Sequence, residues 1–244
     1  MVFIRKGGTK KGSEMGQAIK LATAEGEEIQ IRSGDVQLSG ELSIPASAEG
    51  VVLFAHGSGS SRHSPRNQFV ARTIREAEVG TLLFDLLTKD EEAIDRYTGH
   101  LRFDIDLLAN RLIDATRWIQ SERGFFRIGY FGASTGGGAA LLAAAELGEM
   151  VSAVVSRGGR PDMAGDALPN VKAATLLIVG SLDYPVIQMN HEAYLKLNCE
   201  KEVRIVEGAT HLFEEPGTLE QVADLAAQWF RKHFAPARSN ETLR

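Results

Sequence analysis

One cysteine, Cys199, occurs among the 244 residues, so no intrachain disulfide can staple this chain. The opening residues, MVFIRKGGTKKG, hold no apolar stretch long enough for a secretory signal. Together these two absences predict a reducing, cytoplasmic setting. Apolar runs such as Ala173 to Val179 and Gly138 to Ala145 fall far short of the ~20 residues a spanning helix needs, so no membrane segment is expected. A basic surplus is missing too: 27 Lys and Arg face 32 Asp and Glu, a formal net charge of -5, which argues against a general nucleic-acid binder. No internal repeat, low-complexity block or Pro/Gly-rich linker divides the chain, and the reading is a single domain over 1–244.

What is present reads as an α/β protein. Glu28 to Arg32 and Val36 to Ile44 alternate polar and apolar residues around Ser33-Gly34-Asp35, which predicts an antiparallel hairpin of edge strands. From Val51 onward short, continuously apolar runs alternate with helix-forming segments, as strands covered on both faces require. The runs are Val51 to Ala55, Thr81 to Phe84, Arg127 to Phe131, Val151 to Val155, Ala174 to Val179 and Val203 to Val206. Between them Ile105, Leu108, Leu112, Ala115 and Ile119 recur at spacings of three and four, one face of a helix, and Gln221 to Phe234 carries a similar stripe. The pattern predicts a doubly wound, mostly parallel sheet with helices on both faces. The ends, about 1–12 and 236–244, hold little to bury and are expected to be loose.

The strand ending at Phe131 runs into Gly132-Ala133-Ser134-Thr135-Gly136, followed by the small residues of a closely packed helix. This is the GxSxG nucleophile elbow in the strand-turn-helix setting it needs. Small flanking residues let backbone and helix approach, and the turn leaves Ser134 at a helix N-terminus, where unpaired N–H groups favour developing negative charge. A glycine-rich turn that cradles phosphate is the plainer reading of such a segment. A dinucleotide fingerprint or a Walker loop would need GxGxxG or GK[ST], and neither occurs.

A serine hydroxyl needs a base, and the base an orienting carboxylate, expected later in the chain in the order Ser, acid, His. Asp183 lies just beyond the apolar Ala174 to Val179 run, and His211 lies beyond the last run, in Gly208-Ala209-Thr210-His211. Both positions fall at carboxyl ends of predicted strands. His63 is the rival base and Asp162 the alternative acid; His56 reads as a loop-shaping residue, His191 and His233 as helical, and His100 as part of a charged loop. Oxyanion donors are expected from the residue after the nucleophile, Thr135, and from the small-residue loop after the first buried strand, at Ser58.

With these motifs in place, the sequence resembles the α/β-hydrolase superfamily, and within it the dienelactone hydrolase-like group, over roughly Val36 to Phe234. The resemblance implies an eight-stranded, mostly parallel sheet with little or no cap domain, and serine-esterase chemistry needing neither metal nor organic cofactor. Dienelactone hydrolases proper carry cysteine at the elbow, whereas Ser134 stands there in this chain, a departure that argues against dienelactone itself as substrate. On this reading Ser134 attacks a small-molecule ester, His211 takes its proton, Asp183 steadies the imidazolium, and Ser58 and Thr135 N–H groups hold the oxyanion.

Arg62, His63, Arg157 and Arg160 lie in segments that can reach the same end of the sheet. Two readings stand: contacts to an anionic substrate group, or ion pairs to Asp104, Asp106 or Asp162 that fix loops. Arg160 to Val171 offers only a short loop, so no large lid is expected, and short or compact acyl substrates fit best. A thioesterase, peptidase or perhydrolase shares the machinery, and a non-catalytic binding module shares the fold. Oligomeric state is not legible.

Overall fold

The computed structural model describes residues 23–124 and 126–236. The expected loose ends lie outside the described residues apart from Pro236. β1 (Thr23–Ser33) and β2 (Val36–Ile44) form the antiparallel hairpin, in register from Glu27↔Leu42 to Ser33↔Val36, and Gly34 supplies the left-handed turn at φ +56. The six apolar runs become β3 (Gly50–Ala55), β4 (Gly80–Phe84), β5 (Arg127–Ala133), β6 (Val151–Arg157), β7 (Ala174–Gly180) and β8 (Lys201–Val206). One eight-stranded sheet results, in the order β1-β2-β4-β3-β5-β6-β7-β8, parallel from β4 to β8.

One expectation needs correction. Only β1 of the hairpin is an edge strand, because β2 pairs antiparallel with β4 from Gly40↔Phe84 to Ser43↔Thr81. That pairing satisfies the flank of β4 that would otherwise lie open, and it buries Leu38, Leu42 and Ile44. The other edge is β8, which begins two residues before the apolar run that marked it. Its Lys201, Glu202 and Arg204 are tolerated because its outer flank is unpaired within the sheet.

Helices cover both faces, as the doubly buried strands demand. α1 (Pro65–Glu76) and α6 (Thr218–Phe234) pack on one side, while α3 (Ile105–Arg123), α4 (Thr135–Leu147) and α5 (Tyr184–Lys196) pack on the other. Alternation along β3 shows the division residue by residue: Val51, Leu53 and Ala55 enter the core with α3 and α4, and Val52 and Phe54 the core with α1 and α6. A short helix, α2 (Lys89–Thr98), stands between β4 and α3, and two 3₁₀ turns broken at Gly165 fill Pro161–Asn170. Among the described residues no cap domain lies over the sheet, and no helix is long and apolar enough to cross a membrane.

Candidate active site

Every candidate triad residue sits where a strand of the sheet ends. Beyond β5 the chain turns sharply at Ser134, whose φ of 52 and ψ of -121 place a non-glycine residue in left-handed backbone. Such a conformation costs about 1–3 kcal/mol and persists only where surroundings enforce it. Here they do: the Ser134 N–H donates to Arg157 O at 3.3 Å, and its carbonyl accepts from the N–H groups of Gly137 and Arg160, both at 2.9 Å. The flanking glycines are obligatory for space. A Cβ on Gly132 would lie 2.5 Å from Gly136 O, and one on Gly136 only 2.0 Å from Ala55 O.

Asp183 and His211 leave the ends of β7 and β8 and are tied together by backbone before their side chains meet. Ser181 N–H bonds Val206 O at 2.9 Å and Leu182 N–H bonds Ala209 O at 3.0 Å. Thr210 donates from both its N–H and its hydroxyl to Glu215, bonds that hold this carboxyl below the ordinary range. His211 Nδ1 then stands 2.6 Å from Asp183 Oδ2, and Nε2 stands 3.3 Å from Ser134 Oγ. A proton on Nδ1, donated to the carboxylate, leaves Nε2 free to accept from the serine hydroxyl.

The small-residue loop after β3 passes over this turn. Gly57 comes so close that a Cβ there would lie 3.1 Å from Ser134 Cβ, and the Ser58 N–H donates to Thr135 Oγ1 at 3.1 Å. His56 sits beneath the loop, 7% exposed, with Nε2 accepting from the Leu86 N–H at 3.0 Å and Nδ1 3.1 Å from Gly57 O. Burial pushes its pKa down despite the Gly57 carbonyl and Asp85, so the imidazole stays neutral and ties β3 to the segment after β4.

The remaining candidates are spread around this centre. Arg62 pairs with Asp85 through both its backbone N–H at 2.8 Å and its guanidinium at 2.5 Å, and also reaches Glu28. Arg160 grips Asp162 in a fork at 2.8 and 2.7 Å, so the alternative acid is engaged away from His211. His63 lines an open cleft of about 490 Å³ with Ser58, Ser60, Ser64 and Arg66, and makes no bond to Ser134. Arg157 is 7% exposed, donates to Leu212 O at 3.4 Å and lies over the Phe213 ring. Asp104 caps α3 through the Leu107 N–H.

Beside the loop lies a cavity of about 230 Å³, and α2 supplies part of its wall. Gly57, Ser58 and Thr135 line it, together with the buried Leu86, Leu87 and Leu108 and the charged Glu92, Arg96 and Arg102. Burial, aided by Asp85, pushes the Glu92 pKa up. Glu92 and Arg96, on α2, escape a search for motifs, although the capping box Thr88-x-x-Glu91 that starts their helix is a readable local signal. Among the described residues no three His, Cys, Asp or Glu side chains are grouped to hold a metal ion.

Comparison with known proteins places this architecture. Residues 68–234 match the dienelactone hydrolase family. A solved dienelactone hydrolase from Anabaena variabilis is 57% identical, with a TM-score of 0.83 over 86% of this chain and 99% of its own. A lidless α/β serine hydrolase from Xanthomonas campestris, 20% identical, shares the fold at a TM-score of 0.71 over 89% of this chain and 98% of its own. A Mycobacterium tuberculosis H37Rv protein named as a phosphoribosyl transferase is 54% identical over 210 residues, 85% of this chain and 46% of that protein. The chain thus spans about half the length of that curated relative. With the strand order and the matched residues in agreement, the chain belongs to the dienelactone hydrolase family.

Proposed function

We propose that this protein cleaves carboxylic esters of short or compact acyl substrates through an acyl-enzyme on Ser134. The observation that carries the reading is the hydrogen-bonded chain Asp183–His211–Ser134, at 2.6 and 3.3 Å, on the left-handed turn at the carboxyl end of β5. As Ser134 Oγ attacks the carbonyl carbon, its proton passes to His211 Nε2, and Asp183 stabilises the resulting imidazolium. The Thr135 N–H, at the first turn of α4, serves as one oxyanion donor in this reading, and the helix dipole adds to it. The Ser58 N–H is the second donor, shared with the Thr135 hydroxyl. Collapse expels the alcohol with the proton from His211, which then takes one from water to release the acid.

Substrate size follows from the space beside the nucleophile. A cavity of about 230 Å³, walled in part by the buried Leu86, Leu87 and Leu108, suits a compact acyl group. Phosphoribosyl transfer, named for the Mycobacterium tuberculosis relative, draws no support from this site, since a serine activated by imidazole is suited to carbonyl carbon.

The test is to treat the protein and its Ser134→Ala variant with a fluorophosphonate probe and short p-nitrophenyl esters. Labelling and turnover that vanish together in the variant are expected. Folded wild-type protein that takes up no label would overturn the reading in favour of a binding module.

A further inference from the structure

Arg157 is an oddity of this fold: a guanidinium 7% exposed, with no carboxylate in ion-pair range among the described residues. Burial, with Arg66 adding repulsion, pulls its pKa down to about 10. Burying an unpaired charge is costly, and an apolar residue would fill the space more cheaply. What the side chain touches is the segment just past the base: Nη1 donates to Leu212 O at 3.4 Å, and the guanidinium lies 5.7 Å from the centre of the Phe213 ring. Phe213 is itself held in left-handed backbone at φ 56 and is 1% exposed.

The same residue reaches the nucleophile through its backbone, since Arg157 O accepts the Ser134 N–H. Its neighbour Gly158 leaves room for the base, because a Cβ there would lie 3.2 Å from His211 O and 3.5 Å from its ring. The end of β6 therefore touches both the serine turn and the histidine loop. Resting on the serine-hydrolase reading, we propose that Arg157 is a positioning residue, whose guanidinium clamps Leu212 and Phe213 and so sets His211 Nε2 against Ser134 Oγ. Arginine suits the task, because one planar group can donate to a carbonyl and stack on an aromatic face together.

The test compares Arg157→Met, Arg157→Lys and Phe213→Leu with wild type, using p-nitrophenyl butyrate and its acidic counterpart p-nitrophenyl hydrogen succinate. For Arg157→Met, kcat should fall about 10- to 100-fold on both esters alike, the scale of a misplaced catalytic group. KM should stay within about twofold, marking a loss felt in the transition state alone. Fluorophosphonate labelling should slow in parallel, Arg157→Lys should recover part of the rate, and Phe213→Leu should move kcat in the same direction. If Arg157→Met does not fold, Arg157→Lys carries the test with the same signs at smaller size. A rise in KM confined to the acidic ester would overturn the proposal in favour of an anion contact. A lowered melting temperature with unchanged kcat would overturn it in favour of a purely structural role. Wild-type protein inert to both esters and to the probe would instead remove the hydrolase reading on which the proposal rests.

Discussion

The Ser58 N–H donates to the Thr135 hydroxyl at 3.1 Å, joining the loop after β3 to the first residue of α4. These are the two residues read as oxyanion donors, so one donor's side chain places the other's backbone. Thr135→Ala keeps its own N–H but releases Ser58. We expect kcat for a short ester to fall about tenfold, less than the loss of a whole oxyanion donor, while Thr135→Ser retains most of the rate. Steady-state kinetics of the two variants checks this, and equal rates in both would remove the hydroxyl from the mechanism.

Gly136→Ala should fail differently. Its Cβ would meet Ala55 O at 2.0 Å, a clash between backbone segments that no rotamer relieves. Destabilisation of about 3 kcal/mol or more is expected, at the upper end of overpacking costs. Gly34→Ala is the control: φ is +56 but nothing lies within 4 Å, so only the left-handed penalty of about 1–2 kcal/mol applies. Urea denaturation of both variants separates the two causes.

Glu91 does two jobs in the first turn of α2. It completes the capping box of α2 with Thr88, and it takes a two-pronged bond at 2.8 and 2.6 Å from Arg111, which is 3% exposed. Although burial pushes its pKa up, the bonds from Arg111 and Thr88 prevail and hold it below the ordinary value. Glu91→Ala strands a buried guanidinium and should cost about 3–5 kcal/mol. Thr88→Ala removes only a cap, about 1 kcal/mol. Similar losses from the two, measured by urea denaturation, would contradict the ion pair's role.

Acid should weaken this fold through two histidines. Burial holds both His56 and His233 below the ordinary 6.5. Near that pH the unfolded chain takes up protons that the folded chain refuses. The stabilisation is thus complete above about pH 6.5 and is lost as pH falls toward the folded values, by at most about 1.4 kcal/mol per pH unit for each histidine. His56→Gln should lower stability at pH 7.5 yet flatten the decline between pH 7 and 5, leaving the share due to His233. An unchanged slope in urea midpoints would show that His56 titrates normally.

The strands were readable to within a residue or two wherever both faces are buried, as at β3 and β7, because continuous apolar runs record two-sided burial. β8 was read short at its start because an edge strand need not be apolar. The elbow was legible as a local pattern, and the order Ser134, Asp183, His211 follows from strands that each end at the same edge of the sheet. The arginines were legible only in part: the pairing of Arg160 with Asp162 was one of the two readings offered, whereas the partners of Arg62 and Arg157 were not foreseen. Arg62 meets Asp85, Arg160 meets Asp162, and Arg157 meets no carboxylate among the described residues, although all three look alike along the chain.

Sequence alone determined the period of burial, the places where glycine is required beside Ser134, and the residue types able to activate a hydroxyl, since each depends on near neighbours. Tertiary structure alone decided that β2 is internal, that α2 walls the cavity, that Ser58 leans on Thr135, and that Arg157 lies under the His211 loop. Those outcomes rest on contacts between segments far apart in the chain, such as positions 58 and 135, whose meeting is set by strand order and helix packing rather than by any local spacing.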